Sequence, residues 1–110
     1  MELVGEIYAI SRQLPADERF GLTSQIRRAS VSVPSNIGES ARRKRRKAFL
    51  NHLDIALGSQ GEVDVQLEIA VRLRYVPAPA AERAQDLVGE VGRMLNGLID
   101  SLQPADADWS

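Results

Sequence analysis

Apolar residues recur every three or four positions in four successive segments of this chain, and no segment offers the pairing partners a sheet would require. Leu3, Ile7, Ile10 and Leu14 draw the first stripe, which stops at Pro15. A second helix is expected from near Asp17, a good capping residue, with Leu22, Ile26, Ala29, Val33 and Ile37 facing inward. Pro34 lies inside it, and its missing donor and its crowding of the carbonyl four residues back predict a kink or break near Ser30. Ser30 to Val33 alternate as a strand would, but without a strand to pair with the helical reading is preferred. The third helix is the clearest, from about Ala48 to Tyr75, with Phe49, Leu53, Ala56, Leu57, Val63, Leu67, Ala70 and Val71 on its inner side. Pro77 and Pro79 close it, and a fourth helix from about Ala80 to Leu102 carries Ala84, Leu87, Val88, Val91, Leu95, Leu98 and Leu102. Gly58, Gly61, Gly89, Gly92 and Gly97 lie inside these last two helices, each at a cost of roughly 1 kcal/mol against alanine, and some are expected to permit close helix contacts.

The pattern predicts an all-α fold: an antiparallel four-helix bundle with a kinked second helix and short loops, forming one domain over residues 1–103 with a loose tail over 104–110. With 44% hydrophobic and 26% charged residues, the 110-residue chain has the means to bury a core. It has no cysteine, which excludes disulfides and thiolate chemistry, and its first ten residues are acidic where a signal peptide needs a basic segment. No apolar run approaches the ~20 residues that cross a bilayer, so a cytoplasmic protein with no membrane partner is expected.

The marks of catalysis are scarce. His52 is the single histidine, with no cysteine or second histidine to join it on a metal, and it reads as a surface or interface residue. Phosphate-loop, nucleophile-elbow and zinc-protease motifs do not occur. Asn36 and Glu39 fall one turn apart on the second helix, and Glu62 and Gln66 one turn apart on the third. They read as a polar layer fixing helix register, because di-iron bundles need a Glu-x-x-His pair on each of two helices. The expectation is a non-enzymatic protein with no catalytic residues, no metal and no cofactor.

Charge is where the chain departs from the ordinary. Its net charge of -1 conceals a segment of +7 over residues 27–47, followed by one of -6 over residues 48–110. Arg42, Arg43, Lys44, Arg45, Arg46 and Lys47 are consecutive, and residues that turn about 100° per step cannot share one helix face, so they must cover an end or a loop. There they suit the carboxyl end of the second helix and oppose the amino end of the third, and a phosphate would relieve both. The candidate nucleic-acid site is therefore these six, with Arg27 and Arg28 assisting from four to five turns earlier. No aromatic residue lies within the run, so contact with RNA or DNA is expected to follow backbone shape and not base identity. Two other readings stand: a solvated loop, or a scaffold in which the cluster docks a neighbouring subunit or partner protein, for which the acidic row Glu82, Asp86 and Glu90 is a fitting counterpart.

The run Leu22-Thr-Ser-Gln-Ile-Arg-Arg-Ala-Ser-Val-Ser-Val-Pro-Ser-Asn-Ile-Gly-Glu39, with Phe49, Leu53, Ile55 to Ser59, Glu62, Gln66, Leu67 and Tyr75 after it, resembles the bacterial four-helix-bundle family named for the 23S rRNA intervening sequence. The likeness covers roughly residues 7 to 76. It implies a homopentameric ring and a loosely defined part in nucleic-acid binding. A similar accessory protein of diversity-generating retroelements implies a reverse transcriptase and its RNA as partners. The family usually carries a longer first helix, so the resemblance implies weak docking of the short one here. Where relatives commonly have a glycine and an acidic residue at the second loop, this chain has Arg42 to Lys47.

Overall fold

In the computed structural model, which describes residues 1–102, four α-helices follow one another: α1 (Glu2–Ser11), α2 (Leu22–Ala41), α3 (Arg46–Arg72) and α4 (Ala78–Leu102), with a 3-10 turn at Ala16–Glu18. There are no strands among the described residues, and the expected tail over 104–110 lies outside them. α1 packs on α2 and α4, and α3 packs on the same two helices, so each helix has two neighbours around a shared core in a body 50 × 23 × 19 Å across.

The inward stripes are those the periodicity marks. Leu3, Ile7, Ile10 and Leu14 are all buried, which corrects the expectation that the short first helix docks weakly: its whole apolar face is covered. Two apolar clusters divide the length of the bundle. The larger joins Leu3, Ile7 and Ile10 of α1 to Ile26 of α2, Val63 and Leu67 of α3 and Val88 of α4. The smaller, built on Leu53, Ala56, Leu95 and Ile99, draws only on α2, α3 and α4. Ten residues rising about 1.5 Å each cannot accompany a 27-residue helix along its full length. The bundle therefore has a four-helix end and a three-helix end.

Two boundaries differ from the pattern-based expectation. α2 starts at Leu22 and not near Asp17, because residues 16–18 close a 3-10 turn instead. The capping acceptor is Glu18: its Oε1 receives the Leu22 amide at 3.2 Å, and its Oε2 receives the Tyr75 hydroxyl at 2.9 Å. That donation to a carboxylate raises the Tyr75 phenol above its ordinary value, helped by desolvation and by the negative charge of Glu18 and Asp17. α2 also continues through Pro34 to Ala41, so the expected break near Ser30 does not occur. The proline removes one helical donor, and the residues around it are held by their neighbours: Val33 is fully buried, and Asn36 meets His52 of α3.

α3 ends in paired reverse bonds, Tyr75 N–H to the Ala70 carbonyl and Arg74 N–H to the Val71 carbonyl, each 3.0 Å. This closure needs a left-handed residue, usually glycine, and Arg74 supplies it at φ 62°. Arg74→Gly is expected to raise the urea midpoint at an unchanged slope, by roughly 0.5–1 kcal/mol, the left-handed strain less the extra chain entropy of glycine. An unchanged or lowered midpoint would contradict that strain.

Candidate nucleic-acid interface

The basic run occupies the turn between α2 and α3 at the three-helix end. Arg42 is the C-cap of α2, Arg43 to Arg45 make the connection, and Arg46 and Lys47 open α3. All six are exposed. Arg45, in extended conformation, is the N-cap of α3, yet among the described residues no side-chain cap hydrogen bond is made there and no acidic residue stands in the first turn. The amide dipoles at the start of α3 and the cations thus add their positive potentials, an arrangement that favours an anion. Glu39 reaches Arg43 at 3.3 Å from one turn back in α2, an exposed pair of little energetic weight. The side chains of Arg42, Lys44, Arg45 and Lys47 make no hydrogen bond or ion pair among the described residues.

Phe49 and Leu102, both half-buried, share a recess of about 170 Å³ with Arg43, Lys44, Arg45 and Arg46. An aromatic ring therefore does stand against the cluster, contrary to what the linear run suggests. Phe49 follows Lys47 by two residues, and the first turn of α3 brings it beside Leu102 at the end of α4. Spacing alone could not reveal Leu102.

The other candidate cations are placed elsewhere. Arg27 and Arg28 sit some 14 or 15 residues back along an unbroken helix, roughly 20 Å from the turn within one subunit. Arg27 is occupied: its Nε donates to Ser11 Oγ at 2.7 Å and its guanidinium lies 4.9 Å from the Tyr8 ring centre, clamping α2 to α1. Arg28 is exposed and borders a cleft of about 190 Å³ with Gln25, Ser32, Ser59, Glu62 and Gln66. The acidic row Glu82, Asp86 and Glu90 is exposed on α4 beside Arg83, which turns away to Glu2 at 3.2 Å and Glu6 at 3.3 Å on α1.

The polar layer between α2 and α3 has a different membership from the one spacing suggests. Ser59 donates to Ser32 at 2.8 Å, and His52 meets Asn36 at 3.1 Å, with Nδ1 protonated since the Asn36 Oδ1 can only accept. Of the two readings for His52, surface or interface, the structure gives the second: it is half-buried and meets Asn36 between α2 and α3. Glu39 turns to Arg43, Glu62 is exposed, and the Oε1 of Gln66 is buried without a hydrogen-bond partner among the described residues. Among the described residues no three His, Asp or Glu side chains gather as a metal site would need, and no helix is long and apolar enough to cross a membrane.

Fold and turn together define a small all-helical bundle with a concentrated basic end. The family model for the 23S rRNA-intervening sequence protein matches residues 1–97, and the chain belongs to that family. Among solved structures, it is similar to a protein of unknown function from the S23 ribosomal protein family of Bacteroides thetaiotaomicron, with TM-score 0.82 and 27% identity over 89% of this chain and 92% of that one. No curated protein matches it.

The two neighbouring arginines should separate cleanly. Arg27→Gln is expected to cost about 1–2 kcal/mol in urea unfolding, through the lost cation–π contact and hydrogen bond, whereas Arg28→Gln should stay within about 0.5 kcal/mol of wild type. Equal costs would contradict the clamp.

Proposed function

We propose that this chain is a non-enzymatic antiparallel four-helix bundle that assembles as a homopentameric ring and holds RNA or DNA by its phosphate backbone through the Arg42–Lys47 turn. The observation that carries the reading is the electrostatic state of that turn. Six exposed cations gather at the amino end of α3, which has no acid in its first turn, and among the described residues Glu39 reaches Arg43 at 3.3 Å. Phosphate satisfies both helix end and side chains, since arginine binds it bidentately and each contact releases condensed counterions.

The order of the α2–α3 pairs supports the antiparallel arrangement: Asn36 meets His52, while the earlier Ser32 meets the later Ser59. Self-association is supported by the outer face of α3, where Ile55, Val65, Ile69 and Leu73 are exposed at helical spacing. A ring would set several basic turns side by side. The exposed acidic row on α4 favours a second reading, in which the turn of one subunit docks on Glu82, Asp86 and Glu90 of the next.

Replacing all six cations with Ser or Gln decides between the two. The first reading expects affinity for every sequence to fall alike, and the dependence of log affinity on log salt to flatten from about 0.9 per phosphate on duplex DNA, or about 0.7 on single strands. The particle mass by light scattering should stay that of the wild-type oligomer. Dissociation of the variant to 12.1 kDa monomers would favour the docking reading. Wild-type protein that shifts neither RNA nor DNA at low salt would overturn the nucleic-acid reading.

A further inference from the structure

We propose that the basic turn takes single-stranded nucleic acid in preference to duplex, seating one unpaired base against Phe49 and Leu102 while the surrounding cations hold the flanking phosphates. This deepens the reading above and rests on it.

A merely solvated charge cluster has no need of an apolar floor, and this one has one. The recess brings two hydrocarbon side chains together with four cationic residues, a lining suited to an occupant that is both apolar and anionic. The floor is fixed in place. Phe49 packs on the second apolar cluster, and its amide makes the first helical bond of α3, to the Arg45 carbonyl at 2.9 Å, which fixes its backbone next to the charged turn. Among the described residues the cluster beneath is built by α2, α3 and α4, and Phe49 and Leu102 are half-buried.

Size and charge then select the ligand. At about 170 Å³ the recess is smaller than the 300–1,000 Å³ typical of drug-sized sites, and an extended acyl chain is excluded on the same ground. One planar base fits the description. A duplex keeps its bases stacked and paired, so it can engage only the cations. A single strand engages both, because every base has a π-face that stacks on an aromatic ring without regard to sequence. Nothing in the lining is dedicated to the sugar, so RNA and DNA strands should bind alike.

The test is fluorescence anisotropy at one salt concentration with a short mixed-sequence strand, as RNA and as DNA, its duplex, and an abasic strand of equal length and charge. Wild type should bind both intact strands more tightly than the duplex, and the abasic strand roughly tenfold more weakly than the intact ones, in line with the loss of one stacked base. Phe49→Leu, which keeps apolar volume and removes the π-face, should bring the intact strand to the abasic level and leave duplex binding unchanged, while Phe49→Tyr should retain the preference. The abasic comparison needs no variant, so it stands even if Phe49→Leu unfolds. Equal wild-type affinity for intact, abasic and duplex forms would overturn base seating and leave phosphate binding intact. No binding to any of them would overturn both.

Discussion

Two polar pairs between the helices, Ser32 with Ser59 and Asn36 with His52, fix the register of α2 against α3. A slip of one helical turn would strip partners from part-buried groups on both helices, and unmade bonds of that kind cost about 1–3 kcal/mol each. Asn36 is held further by its own helix, donating to the carbonyl and hydroxyl of Ser32. With register pinned this close to the connection, four residues must join the helices, and they are Arg42 to Arg45. The cations crowd together because the turn is too short to spread them.

The length of α1 governs what surrounds that turn. Its ten residues complete the core at one end, where Arg27, Tyr8 and Ser11 bind it to α2 and Arg83 binds it to α4. Toward the other end the bundle has three helices, a smaller core and half-covered apolar side chains. Stability and the proposed binding surface are thereby segregated along one long axis: the well-filled end holds the helices together, and the less filled end carries the charge and the Phe49 recess.

Much of this was legible in the sequence, because core residues obey helical periodicity and an apolar stripe has one reading when no strand can pair. The displacement of the basic run to a turn followed equally from its failure to fit one helix face. What could not be read depends on contacts distant in the chain. Glu18 caps α2 only because a 3-10 turn aims its carboxylate, and it meets Tyr75 across 57 positions. Arg27 resembles Arg28 in every local respect, yet one is clamped between Tyr8 and Ser11 and the other faces solvent. Of the interior glycines, Gly92 is the clear close-packing site: a Cβ there would lie 2.6 Å from Gln60 Nε2, which donates to the Val88 carbonyl, whereas nothing approaches Gly58, Gly61 or Gly97. Spacing ranks these glycines alike, and only the neighbouring helix separates them.

The account's central claim is that a single place, the α2–α3 turn and the recess beside it, is where nucleic acid meets this chain. Amide chemical shifts recorded while a short single strand is titrated into the protein test it most directly. The account predicts that the largest changes fall on Arg42 to Phe49 and on Leu102, with α1 and the Tyr75 end nearly unmoved. Changes centred instead on the outer face of α3 around Val65 and Ile69, or spread evenly over the scattered arginines, would contradict it.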